Sequence, residues 1–300
     1  MNWKTLWLTL ALPAFAFSIH APAQEGRGDV VYVPTPQIVV DEMLTMAKIG
    51  PQDYLIDLGS GDGRFVVTAA KKFGSQGFGV DLDTYLLRLA RDGATKEGVA
   101  DRATFVEQNL FETDLGKATV ISSYLLPEMN LKLRPKILAL KPGTRVVAHD
   151  YHMGDWYPDA QKDVPVPEKV VGTPGLSYIY LWVVPAQVAG KWQAQLSVAG
   201  KDTSYEIAFE QLFQILEGTV RSGSDSALLR GRLTNGDQIT FATQPKGSPG
   251  GLPHEFTGRV SGDTIQGTVR IGEGPAARQA NWSAKLTARG ELRRAADEVR

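Results

Sequence analysis

"LIDLGSGDGRFVV", residues 55–67, sets a short apolar run, a turn holding Gly59, Gly61 and Gly63, and a second apolar run opened by Arg64. The first run is nearly all apolar, as a strand buried on both faces of a parallel sheet requires. The second continues as RFVVTAAKKFG with its apolar residues at helical spacing. A strand, a turn poor in side chains and a helix make the first half of a βαβ unit, and GFGVDLD, residues 77–83, supplies the second strand.

The same alternation extends outward. Upstream, Thr35 is placed to cap a helix that Pro36 opens and Gly50-Pro51 ends, with Val40, Met43, Leu44 and Ala47 on one face. Downstream follow helix TYLLRLARDGATKEG, strands ATFVEQN and ATVISSYL, helix MNLKLRPKILALKPG, strand TRVVAHDY and the apolar run SYIYLWVVP. Pro135 is expected to mark a bend or a helix start. Strands alternating with helices over residues 37–185 predict an α/β domain with a Rossmann-like, doubly wound sheet. From Val188 the pattern becomes short alternating strands punctuated by Ser222-Gly223, Asn235-Gly236 and Ser261-Gly262 turns, and GRLTNGDQI at 231–239 is echoed by GRVSGDTI at 258–265. Residues 187–290 are therefore expected to form a small antiparallel all-β domain, a barrel or a sandwich, followed by a charged tail at 291–300.

Composition narrows the function. The 300 residues are 43% apolar and 22% charged, enough for buried cores in two domains. A net charge of −1, without runs of like charge, excludes a nucleic-acid footprint and a polybasic membrane patch. The absence of cysteine excludes disulfides, thiolate metal sites and thiol nucleophiles. At the N-terminus Lys4 precedes an apolar run from Leu6 to Ile19, and Ala21-Pro22-Ala23 follows. This reads as a Sec-type signal peptide, residues 1–23, cleaved after Ala23 to leave a periplasmic or secreted protein with a leader at 24–36. The alternative is an uncleaved membrane anchor, against which stand the shortness of the run and Pro13.

The glycine turn brings ligand close to backbone and sets amide donors at a helix N-terminus. Asp57, Gly59, Gly61 and Gly63 spell D-x-G-x-G-x-G, whereas a dinucleotide fingerprint needs a third glycine where Arg64 stands. Asp57 would repel a pyrophosphate and attract the cationic amino-acid end of S-adenosylmethionine. Asp81, at the end of the next strand, can accept both hydroxyls of a ribose. His149, Asp150, Tyr151 and His152 crowd the end of a later strand. Strand alternation sends the two histidines to opposite faces and no second cluster completes a ligand set, so no metal is expected. Ser60 lies outside any G-x-S-x-G context.

On these motifs residues 30–185 resemble the class I S-adenosylmethionine-dependent methyltransferases. VPTP, DLGSGDGR, GVDLD, NLFETDL and YLLPEMNLKLRPKI are closer still to the small protein-lysine methyltransferases that modify mitochondrial membrane proteins, of the ATP synthase and ADP/ATP carrier type, and to their bacterial relatives. The resemblance implies that Asp57, Gly59, Gly61 and Asp62 hold the methionine part of the cofactor and Asp81 the ribose. Asn109 stands near the adenine, where such enzymes usually carry an acidic residue. Tyr124 would line the channel for the accepting nitrogen, Glu128 would orient or deprotonate it, and Pro127, Tyr151 and Trp156 would lie on the substrate side. The implied activity is N-methylation of a protein or small-molecule acceptor; the β domain, outside the resemblance, is expected to be a stabilising appendage or a module that docks an envelope or membrane-protein target. Because this cofactor is made in the cytosol, export leaves a second function open, a non-catalytic binder of a nucleoside or small molecule on a methyltransferase fold.

Overall fold

The computed structural model describes residues 32–198, 201–244, 248 and 251–292; the expected signal peptide and most of the charged tail lie outside them. Its first part runs α1 (Gln37–Met46), β1 (Tyr54–Leu58), α2 (Arg64–Phe73), β2 (Gln76–Asp81), α3 (Thr84–Lys96), β3 (Ala103–Glu107), β4 (Val120–Ser123), α4 (Pro127–Leu138), β5 (Arg145–His149), β6 (Ala160–Pro165) and β7 (Leu176–Val183). These strands form one seven-stranded sheet in the order β3-β2-β1-β4-β5-β7-β6. The first five are parallel, and β7 and β6 are added antiparallel. Alternation within the strands divides the core. Leu55, Val120 and Val147 face α1, α2 and α3, while Ile56, Leu58, Ile121 and Val146 face α4.

Several local expectations are corrected. Thr35 caps nothing: α1 starts after Pro36 without a side-chain cap, and the Thr35 hydroxyl instead partners Nδ1 of buried His149 at 3.1 Å. A buried imidazole nitrogen that would otherwise lack a partner outweighs the cap. Helix α1 ends at Met46, before Gly50, with Lys48 in the left-handed region. Pro135 is not a helix start, because α4 begins at Pro127 and runs through it to Leu138. Strand β6 is absent from the sequence reading. Its segment AQKDVP is exposed except at Val164, so it has no apolar alternation to read, as befits a charged edge strand ending in proline.

The second part is a closed antiparallel barrel with the strand order β10-β11-β12-β13-β14-β15-β8-β9. Its strands are β8 (Gly190–Val198), β9 (Lys201–Leu212), β10 (Ile215–Ser222), β11 (Asp225–Thr234), β12 (Gln238–Thr243), β13 (His254–Ser261), β14 (Thr264–Ile271) and β15 (Arg278–Arg289). Of the two architectures expected, the barrel is the one formed. Inward residues fill it with aromatic rings: Phe241 stacks on Phe256 at 4.5 Å, and Trp282 meets both edge-on.

The barrel is fastened to the end of the sheet where the parallel strands begin. Gly236, in a β11–β12 turn that also holds Asn235 at positive φ, accepts from Ala186 N–H at 2.7 Å and packs so closely on Gly143 that a Cβ would strike its nitrogen. The β9–β10 turn carries Phe213, also at positive φ, and Gln214. Phe213 stacks on Trp156 at 5.8 Å and lies under the Arg134 guanidinium. Gln214 accepts from Trp156 Nε1 at 3.1 Å and donates to the Tyr157 carbonyl at 2.9 Å. Gln214→Ala strands the buried indole N–H and is expected to cost about 1–3 kcal/mol of stability in urea unfolding followed by tryptophan fluorescence. Unchanged stability would mean that this turn does not fasten the barrel.

Candidate active site

A cavity of about 370 Å³ opens at the end of the sheet where β1, β2 and β4 finish, opposite the barrel. Its wall includes Asp57, Gly59, Asp62, Asp81, Asn109 and Tyr124, so the structure brings together most of the residues expected at the cofactor. Gly61 lies just behind the wall, where Tyr32 packs on it so closely that a Cβ would collide with the ring. Three amides of the turn are already engaged within the fold. The N–H groups of Gly59 and Ser60 donate to the Val80 carbonyl at 3.0 and 2.9 Å, and Gly61 N–H donates to Asp81 Oδ2 at 2.8 Å. The turn is folded back on β2 and contributes space, while carboxylates contribute the polar contacts.

Asp57 is the most buried of these carboxylates. Ser122, its neighbour in the β1–β4 register, donates to Oδ1 at 2.6 Å, and Oδ2 has no partner. Burial, with the nearby Asp81 and Asp62 charges, outweighs the Ser122 bond and pushes the carboxyl up to about 7. A cation entering the cavity would restore the ionised form. Asp81 also binds Asp83 N–H through Oδ1 at 3.0 Å, which leaves lone pairs on both oxygens for a diol. Asp62 is engaged otherwise: Arg64 grips it through Nε at 2.8 Å and Nη2 at 2.5 Å. Burial would raise the Asp62 carboxyl, but the Arg64 hydrogen bonds and charge prevail and hold it below the usual range. Asn109 Oδ1 accepts from Phe111 N–H at 3.0 Å, forming the loop that lays Leu110 and Phe111 on the cavity.

On the acceptor side the expectations divide. Tyr124 reaches the cavity; its ring lies 4.0 Å from the His149 imidazole and 6.0 Å from Tyr151, and its hydroxyl donates to Asp150 Oδ2 at 3.2 Å. Burial and then the Asp150 charge hold its phenol far above the ordinary tyrosine value, so it stays protonated. Tyr151 sits behind Tyr124 and does not line the cavity. Pro127 and Glu128 begin α4, where Glu128 is exposed beyond the cavity wall, placed to complement the helix dipole. Trp156 is fully buried at the barrel junction, because the β9–β10 turn that covers it comes from a distant part of the chain.

Four residues at or behind the site escape the sequence reading: Tyr32, Ser122, Arg64 and Lys169, whose ammonium pairs with Asp150 behind Tyr124. Tyr32 and Arg64 flank motifs already legible, in VYVPTP and DLGSGDGR. Ser122 and Lys169 carry no sequence signal, since one is defined by strand register and the other by a loop. His149 is held by hydroxyls on both nitrogens, Thr35 at 3.1 Å and Ser177 at 2.9 Å. Burial lowers its imidazole to about 4 despite the adjacent Asp150. Among the described residues no three His, Cys, Asp or Glu side chains gather as a metal site.

Residues 57–160 match the family model described as the ANTKMT methyltransferase domain. A protein-lysine N-methyltransferase of Saccharolobus islandicus is 45% identical over 131 residues, covering 43% of this chain and 81% of the relative. The adenine nucleotide translocase lysine N-methyltransferase of Mus musculus is 30% identical over 157 residues, 52% of this chain and 66% of the relative. Among solved structures, an RNA methyltransferase from Salinibacter ruber in complex with S-adenosyl-L-homocysteine has 44% identity and a TM-score of 0.47, covering 52% of this chain and 96% of that one.

Asp57 and His149 oppose each other in the pH dependence of stability. Asp57 titrates at 3.8 in its ordinary state and at about 7 here. Between those values the folded state keeps a proton that the unfolded state has lost, so the Asp57 contribution falls as pH rises. His149, ordinarily 6.5 and here about 4, favours unfolding by protonation as pH falls through that window, so its contribution rises with pH. Asp57→Asn removes only the first. In denaturant unfolding between pH 4 and 7, the stability of the variant relative to wild type is expected to climb, by at most about 1.4 kcal/mol per pH unit. A constant difference would mean that Asp57 is already ionised in the cofactor-free protein.

Proposed function

We propose, on the premise that this chain belongs to the protein-lysine N-methyltransferase family and takes its methyl group from S-adenosylmethionine, that it methylates lysine side chains of a protein in the cell envelope. The observation that carries the reading is the buried, unpartnered Asp57 oxygen on the wall of a cavity whose other side is a protonated tyrosine.

Asp57 Oδ2 would take the ammonium of the cofactor's methionine end, and the free lone pairs of Asp81 the ribose hydroxyls. Leu110 and Phe111 would cover the adenine, with Asn109 at its edge. Asp62 would act through its pairing with Arg64, whose Nη1 also donates to the Thr35 carbonyl at 2.6 Å and so closes the wall. When bound, the cofactor supplies a methyl group on a positively charged sulfur. Tyr124 orients the accepting nitrogen toward it, and alignment, more than proton transfer, is what the chain contributes to the rate. Glu128, exposed at the start of α4, has no part in that step.

The envelope assignment rests on the N-terminal segment, with Lys4, the apolar run and Ala21-Pro22-Ala23. The barrel stands at the opposite end of the sheet from the cavity, which leaves the acceptor side open to a large protein.

Calorimetry with S-adenosylmethionine and S-adenosylhomocysteine, with Asp81→Ala for comparison, is expected to give micromolar binding that the substitution weakens by about 1–3 kcal/mol. Mass spectrometry of envelope protein incubated with enzyme and S-adenosylmethionine should then find methylated lysine. Binding with no lysine methylation would favour the non-catalytic binder, and absence of binding by folded protein would overturn the reading. Terminal sequencing of the extracytoplasmic form is expected to begin at Gln24.

A further inference from the structure

Behind Tyr124 lies an ion pair that neither the cofactor nor the barrel uses. Asp150, at positive φ immediately after β5, accepts from Tyr178 N–H at 3.0 Å, from Tyr124 Oη at 3.2 Å and from Lys169 Nζ at 2.7 and 2.6 Å. Lys169 comes from the loop between β6 and β7, and its third hydrogen bond goes to the Leu176 carbonyl at 2.6 Å. Both side chains are almost fully buried, at 6% and 5% exposure. With all three donors engaged, Lys169 has none left for a substrate.

The chemistry at Tyr124 gives this pair a task. Methyl transfer forms a bond from the nitrogen lone pair to the methyl carbon while the sulfur–carbon bond breaks and its electrons stay on sulfur; the extra proton then leaves the product nitrogen to water. An ammonium has no lone pair and cannot react. Tyr124 keeps its proton and directs it in a hydrogen bond to Asp150, so its oxygen can only accept from the incoming nitrogen, and a nitrogen hydrogen-bonded to it would stand within reach of the Asp150 charge. An unbalanced carboxylate at that range favours the protonated amine.

We propose that Lys169 is a positioning residue for methyl transfer: by pairing with Asp150 behind Tyr124 it cancels the carboxylate charge, so that the acceptor amine is received neutral and reactive. The inference rests on the lysine-methylation reading of the site. The other groups facing Asp150 do not alter the balance. His149, 3.5 Å away at the end of β5, is neutral, and Tyr124 and Tyr180 keep their protons. Asp163 on β6 faces solvent, Asp57, Asp62 and Asp81 lie on the cofactor side, and Lys132, also on the cavity wall, is held over the Phe111 ring. A pair that only held the loop in place would leave the protonation of a bound amine untouched.

The test uses n-butylamine, the end of a lysine side chain, titrated by ligand-observed NMR into the full chain loaded with S-adenosylhomocysteine, from pH 6 to 10. Wild type is expected to gain affinity as pH rises and the amine loses its proton. Lys169→Met should bind the ammonium at pH 7 at least tenfold more tightly than wild type, with little pH dependence, and Asp150→Asn/Lys169→Met should return to wild-type behaviour. Equal affinity of wild type and folded Lys169→Met at pH 7, or no gain by wild type with pH, overturns the proposal. If Lys169→Met does not fold, Lys169→Gln decides: it can still donate to Asp150 but carries no charge, and it should bind the ammonium at pH 7 at least fivefold more tightly than wild type, whereas no change overturns the proposal. Failure of wild type to bind S-adenosylhomocysteine would count against the methyltransferase reading itself. Retained binding with a pH-indifferent amine counts against Lys169 alone.

Discussion

The cofactor end of the molecule depends on the turn after β1 closing onto the end of β2. Three successive backbone N–H groups, from Gly59 to Gly61, are spent on Val80 and Asp81, and the chain can take that path only with glycines on either side of Ser60 and at position 63. At Gly63, φ is +79° and a Cβ would come within 2.5 Å of the Phe105 ring; at Gly61 it would strike Tyr32. Tight packing around the turn in turn fixes Asp57 and Asp81 at the ends of adjacent strands, in the register Asp57 opposite Gly79. The site is therefore a product of close approach. Its acidic groups stay in place because the backbone between them has no freedom left.

The same closure explains which parts of the site are legible in the sequence. D-x-G-x-G-x-G followed by an acidic strand end describes a local path, and local paths are written in consecutive residues. The engagement of the Gly59, Ser60 and Gly61 amides is hidden because their partners, Val80 and Asp81, are known only once β1 and β2 are paired. Ser122 is hidden for a similar reason: a serine becomes the donor to Asp57 through strand register, which no short segment encodes. Thr35 shows local and tertiary preference in conflict. Its sequence position favours a cap, and the need of buried His149 prevails.

In the second domain the hairpin turns are legible because Asn-Gly and Ser-Gly pairs announce positive φ, and the structure has such residues at Gly223, Asn235, Gly236 and Gly262. Closure of the barrel is not, since it requires β8 and β15, the outermost strands in sequence, to pair. Nor is the use of Trp156. An aromatic residue in a polar loop reads as a surface contact, and only the Phe213–Gln214 turn, from far along the chain, makes it core.

That junction links the two ends of the molecule through one segment. The chain from Asp150 to Asp159 starts beside Tyr124 and ends under the barrel, and it is held along its length by α4: Asn130 donates to the Tyr151 carbonyl at 3.3 Å and Arg134 to the Met153 carbonyl at 2.9 Å. At the far end Trp182 Nε1 donates to the Trp156 carbonyl at 2.7 Å, while Gln214 takes the Trp156 side chain. Asp150 sits at positive φ, a conformation that costs a residue with a Cβ and persists where the surroundings over-determine it. Here the surroundings are Lys169 and Tyr178 on one side and the anchored segment on the other. The barrel, remote from the cavity, thus bears on chemistry by fixing the far end of the strand of chain from which Asp150 reaches Tyr124.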